Sequence, residues 1–319
     1  MKNSVKNLKL VFLAMVTLFA SCAKDEDDMT NEPKQTYATD VALTDAPIDQ
    51  SNVSAAVVTI TEVKVNGQMV EGFSATTVDL MTLQNGTTEL LGKIDLEAQT
   101  DATVSLVLDY KNDVQGNAPG CYVETVDGVK HALEASNNEI KIQDKVEVFA
   151  ATANKIIVDF DLRKTIIASA NNSSDKFDFA TENELESGLR LVNEMETGKV
   201  SGSVNDSSNT SEKIIAFAYE AGAYTDAEAQ GTGSSNITFA NAITSAEVNK
   251  SSSKFQLNFL KEGDYEVHFA SYSDEDNDGE FEFNGMLEVE SLTNINLGAL
   301  KVTSNLNLDL QLSVVGFKE

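Results

Sequence analysis

The sequence predicts an all-β protein: two tandem antiparallel β-sandwich-like domains behind a cleaved signal segment. Three observations predict it. Apolar and polar residues alternate with period two in segment after segment rich in β-branched residues. Asn-Gly or Asp-Gly pairs at 66–67, 85–86 and 127–128 punctuate those segments as turn signals. Helical character is confined to part of MTLQNGTTELLG (81–92) and to ATENELESG (180–188), both short.

Residues 1–21 are a targeting segment. Lys2, Lys6 and Lys9 form a positive start, followed by the apolar run LKLVFLAMVTLFA. The run is short for a membrane span of ~20 residues and ends in small side chains, as an export signal does. Its removal takes away three lysines and no acids, moving the formal charge from −28 to −31.

Cys22 follows directly, in the setting LFASC. This resembles the lipobox of bacterial lipoproteins, where small residues (here Ala20 and Ser21) precede a cysteine that is acylated and becomes the first mature residue. The resemblance implies lipidation at Cys22 and attachment to the outer membrane, since several acyl chains anchor stably. A lipidated Cys22 cannot form a disulfide. The only other cysteine, Cys121, is then a free thiol, expected to be buried. Residues 22–36 read as an acidic flexible tether. Lys24, Asp25, Glu26, Asp27 and Asp28 resemble the export signal of surface-exposed lipoproteins in the Bacteroidetes lineage, which implies the cell surface. A plain solvated linker has the same composition.

The first β domain is expected over 37–197. VSAAVVTITEVKVNG (53–67) alternates Val57, Thr59, Thr61, Val63 and Val65 with Val58, Ile60, Glu62 and Lys64 before an Asn-Gly turn. ATVSLVLDY, NEIKIQ and NKIIVDFDL repeat the style. The second domain, 198–319, opens with GKVSGSV and closes with NLNLDLQLSV, where Leu306, Leu308, Leu310 and Leu312 alternate with polar residues as in a strand with a partner layer behind it. The longest loops fall within 205–254, rich in Ser, Asn and Gly.

VALTDAPID (41–49), AVVTITEVKVNG, VDLMTLQNGTTELLG (78–92), VSLVLDYKNDV (104–114) and KIIVDFDLRKTI (155–166) occur in that order. Together they resemble domain-of-unknown-function family 4382, over about 40–197. The resemblance implies a β fold and an exported compartment, with no established activity. The remainder resembles transthyretin- or carboxypeptidase-regulatory-like sandwiches, which implies a non-catalytic spacer or adhesive unit.

With 51 acidic against 23 basic residues, the chain repels phosphate backbones, which excludes nucleic acid as a partner. Two histidines, His131 and His268, without a nucleophile elbow argue against nucleophilic catalysis. No Cys/His cluster is present to hold zinc. DEDNDGEFE (274–282) places Asp274, Asp276 and Asp278 at alternate positions before Gly279, with Glu282 as a further ligand. Hard oxygens converging at a glycine turn suit calcium. The twelfth position is Gly285 where an EF-hand needs a glutamate, so the reading is a strand-connecting calcium loop, against the alternative of an acidic β-turn. Asp159 and Asp161 in VDFD share one strand face, about 7 Å apart at Cα. They are candidates for glycosidase acid/base chemistry or a metal, against the wet face of a strand. Asp45 before Ala-Pro is expected to make a turn or cap hydrogen bond. Tyr110, Tyr122, Tyr219, Tyr224 and Tyr265 are possible stacking surfaces for glycan in a chain without tryptophan. The expectation is a lipid-anchored, non-catalytic binding or adhesion module with a glycan or protein ligand, the alternatives being a carboxylate-based glycan hydrolase and a structural envelope component.

Overall fold

A computed structural model describes residues 35–47, 52–169, 176–209, 211–276 and 281–318. Residues 1–34, with Cys22 and the acidic tether up to Lys34, lie outside the described residues, as does Asp278. Among the described residues no helix is long and apolar enough to cross a membrane.

The N-terminal half is a pair of facing sheets. One runs in the order β15 (Leu189–Asn193), β12 (Asn154–Asp161), β1 (Thr36–Ala46), β5 (Glu89–Glu97). The other runs β10 (Glu139–Lys141), β7 (Val104–Leu108), β2 (Val53–Val65), β8 (Tyr122–Thr125), β9 (Lys130–Ala132), with β3 (Gln68–Met69) and β4 (Thr76–Asp79) also on β2. Two short ribbons, β6 (Asp101–Ala102) with β11 (Val146–Glu147) and β13 (Ile166–Ala168) with β14 (Phe177–Phe179), complete it. Alternate residues of each strand point inward: Val41 and Leu43, Val58 and Ile60, Leu106 and Leu108, Ile156, Val158 and Phe160 share one apolar core.

The C-terminal half is one curled sheet in the order β18 (Thr244–Glu247), β17 (Lys213–Glu220), β20 (Gly263–Ser273), β21 (Glu282–Ser291), β23 (Asn307–Phe317), β16 (Thr197–Asn205), β19 (Lys254–Lys261), with β22 (Leu300–Val302) beside β20. Its two end strands are consecutive in sequence and meet through a tight turn in which the Asn249 N–H donates to Lys254 O. The layers opposing each other across the interior are thus walls of a single sheet. Each strand lines that interior, with Ala216, Ala218, Ala246, Phe255, Leu257, Phe269, Leu287, Leu310 and Leu312 among the packed residues. β17 is buried on its outer side as well, where Ile215, Phe217 and Tyr219 lie beneath Phe239 and Ala242 of the long 221–243 loop.

The all-β expectation holds, with two departures from purely antiparallel pairing. β1 pairs in parallel with β12, and β16 pairs in parallel with β23. A parallel pair needs a crossover rather than a hairpin, and here the intervening chain builds the remaining strands of each half. Both helical stretches form: a 3₁₀ turn at Leu80–Leu83 and helix α2 at Glu182–Ser187. A further one-turn helix, α1 (Leu162–Thr165), follows β12 directly.

Candidate functional site

β12 is packed on both faces, and this positions Asp159 and Asp161. One face feeds the N-terminal core. The other presents Ile157, Asp159 and Asp161 toward the C-terminal half, where Ala42, Ile157 and Val192 pack against Phe259 of β19. Asp159 and Asp161 share a strand face as the sequence predicts, but the wet-face reading is corrected: they are only 3% and 4% exposed.

Each is paired with an arginine. Asp159 Oδ2 accepts from Arg190 Nη2 at 2.5 Å, and Asp161 Oδ2 accepts from Arg163 Nη2 at 2.8 Å. The pairs share a second feature. Arg190 Nη1 donates to Phe259 O at 2.7 Å, while Arg163 Nη1 donates to Phe239 O and Thr238 O, both at 2.8 Å. Phe259 and Phe239 have φ of 53° and 51°, a left-handed conformation unusual for a bulky side chain. For Phe259 the cause is a β-bulge, Asn258 and Phe259 together opposing the single residue Lys199. The bulge turns the Phe259 ring out of the curled sheet and onto Ile157. Each acid therefore holds an arginine that grips the carbonyl of a left-handed phenylalanine in the other half.

Local geometry explains the arrangement at Asp161. Its Oδ1 caps α1 by accepting the Arg163 N–H at 3.2 Å, and the single helical turn folds the Arg163 side chain back over the same carboxylate. Lys164 stands 3.8 Å from Asp161 Oδ2 and donates to Ala242 O at 2.6 Å. Burial pulls its ammonium down to about 8, with Asp161 acting in the opposite sense.

Asp45 sits at the end of β1, 6% exposed, and lines a narrow cleft of about 20 Å³ together with Asp159. The turn or cap role expected of it is corrected, because neither of its oxygens has a hydrogen-bond partner. Burial, then the charges of Asp159 and Asp161, push its carboxyl well above the usual range; the Leu162 N–H and the Gln84 side chain ease this without reaching hydrogen-bonding geometry.

The acidic loop brings Asp274, Asp276 and Glu282 together, with one carboxylate oxygen from each within 4.8 Å of the others. The Glu275 N–H donates to Glu282 Oε2 at 3.1 Å. The tyrosines mostly pack. Tyr219 and Tyr265 are buried, Tyr224 stacks on His268 with centroids 4.0 Å apart, and Tyr122 lies beneath the Lys130 ammonium. Cys121 is fully buried and unpaired, and burial drives its thiol up to about 12.

The residues that sequence reasoning misses are Arg163 and Arg190. A signal for them is present: they are the only two arginines in 319 residues, and Arg163 stands two positions after the VDFD run.

The set of β1, β2, the 3₁₀ turn at Leu80–Leu83, β7 and β12 carries the spaced elements VALTDAP to VDFD. Residues 38–178 match the model of a known family, Domain of unknown function (DUF4382). The DUF4382 match includes Asp45, Asp159, Asp161 and Arg163. It ends before residue 197, where the sequence resemblance was expected to stop, and before Arg190 and the C-terminal half. No curated protein matches the chain in sequence. Among solved structures, the major pilin subunit BcpA of Bacillus cereus aligns at 11% identity over 89% of this chain and 71% of its own, with a TM-score of 0.22. The shaft pilin SpaA from Lactobacillus rhamnosus GG aligns at 10% identity over 89% and 100%, TM-score 0.21. A leucine-rich repeat protein from Bacteroides thetaiotaomicron aligns at 11% identity over 88% of this chain and 27% of its own, TM-score 0.20. Scores this low do not define a shared fold.

Proposed function

We propose that the protein is a lipid-anchored, surface-exposed component of the cell envelope whose β halves act as a non-catalytic binding or adhesion module. The observation that carries the non-catalytic part is the commitment of Asp159 and Asp161. A glycan hydrolase needs one carboxyl group poised as acid and another as base or nucleophile, both open to substrate. Here both are buried, each holds an arginine, and each arginine is spent on the backbone of the other half. The lipid anchor rests on LFASC and Cys22, and the outward orientation on the acidic residues that follow. The ligand belongs to the extracellular glycans or proteins, and the loop at 274–282, with Asp274, Asp276, Asp278 and Glu282, serves calcium.

Metabolic labelling with palmitate tests the anchor: the wild type takes up label, and Cys22→Ala does not. Label retained by Cys22→Ala contradicts it. Protease added to intact cells degrades a surface-exposed chain; full protection contradicts the outward orientation.

A further inference from the structure

The ion pairs at the joint leave one buried acid without a counter-charge. Arg190 is paired with Asp159, and Arg163 and Lys164 with Asp161, yet among the described residues no Lys, Arg or His side chain forms an ion pair or hydrogen bond with Asp45. Both Asp45 oxygens, Asp159 Oδ1 and Ser245 Oγ are buried and without hydrogen-bond partners, and all three residues line the same cleft. Asp45 is 94% removed from solvent and Ser245 is 4% exposed. Among the described residues the cleft walls carry three carboxylates, those of Asp45, Asp159 and Glu247, the last paired with Lys213 at 3.3 Å, and no basic residue. Gln84 and Asn258 are among the neutral polar residues that also line it. An ionised carboxylate held out of water is costly unless a cation or hydrogen-bond donors answer it. A cluster of hard oxygens from carboxylate, hydroxyl and amide groups is the donor set that calcium takes, at 2.3–2.6 Å with some ligands supplied by water.

We infer that the cleft between β1, β12 and β18 binds a hard divalent cation of the calcium class, held by Asp45 with Asp159 Oδ1 and Ser245 Oγ. The site joins the DUF4382 region to the C-terminal half, because Asp45 and Asp159 come from one and Ser245 from the other. Cation binding therefore tightens the joint and leaves the Asp159–Arg190 pair intact, since that pair uses Oδ2. This site is separate from the acidic loop at 274–282.

The test is thermal unfolding of the full mature chain with calcium chloride, magnesium chloride or sodium chloride at matched ionic strength, beside titration calorimetry with calcium. Calcium is expected to raise Tm in the wild type and still to raise it in Asp276→Asn, which disables the acidic loop; Asp45→Asn and Ser245→Ala are therefore each made in that Asp276→Asn background. Asp45→Asn is expected to lose at least tenfold in calcium affinity and most of the Tm shift while unfolding in a single transition. Ser245→Ala, a milder change that keeps both carboxylates, is expected to weaken binding several-fold and decides the matter if Asp45→Asn does not fold. A calcium shift that survives in both Asp45→Asn and Ser245→Ala overturns the proposal. So does a shift that is absent in the wild type at millimolar calcium, or one reproduced in full by sodium.

Discussion

Arg163 and Arg190 each use one guanidinium in two directions at once. The planar fork answers a buried carboxylate through one nitrogen and a backbone carbonyl of the other half through the second. Removing one partner of a buried pair strands the other, at about 3–5 kcal/mol. Arg163→Met is therefore expected to lose about that much stability in urea unfolding, because it leaves two buried carbonyls unanswered and Asp161 Oδ2 with only Lys164 at 3.8 Å. Arg163→Lys, although it keeps the charge, is expected to recover only part of the loss. A change below about 1 kcal/mol in Arg163→Met, the range of an exposed pair, would contradict the role assigned to it. The acids that form these pairs are visible in the sequence as a two-residue alternation. Their burial is not, since VDFD reads equally as a half-wet strand until a second half covers it.

At the scale of elements, the contact between the halves is made by features that break regularity. The Asn-Gly turn at 85–86 docks on the bulged strand β19: Gln256 Nε2 donates to Asn85 O at 3.2 Å, and a Cβ on Gly86 would stand 2.8 Å from Asn258 Oδ1. Helix α2 supplies a second latch. Glu184 accepts from the N–H groups of Ser234 and Ser235 at 2.7 and 3.1 Å, and from the hydroxyls of Ser235 and Thr181. Burial alone would raise its carboxyl, but the Ser235 hydroxyl, then Thr181 and the two N–H groups, outweigh it and lower it to about 2. An unfolded glutamate titrates near 4.3. The latch is thus fully present above that value and is lost as pH falls toward 2. Glu184→Gln is expected to be less stable than wild type at pH 7, with the gap closing between pH 4.5 and 2; a gap that stays constant over that range contradicts the latch. The strands were legible because period-two alternation and Asn-Gly turns act locally. α1 was not, because four residues carry no helical period, and the bulge at Asn258–Phe259 was not, because neither residue is the glycine that left-handed backbone usually signals.

At the scale of the molecule, residues 35–319 form one compact unit, although apolar packing divides into a cluster ending at Leu191 and others that start at Val200. The division is legible in the sequence as a change of style near Gly198; the grip across it is not, since it depends on side chains 50 or more residues apart. The two arginine grips, the Glu184 latch and the Phe259 contact together make the halves one cooperative body. Calorimetric unfolding of the mature chain tests this most directly. The account predicts a single transition whose calorimetric and van't Hoff enthalpies agree, splitting into two in the Arg163→Met, Arg190→Met double variant. Two separate transitions in the wild-type chain would contradict it.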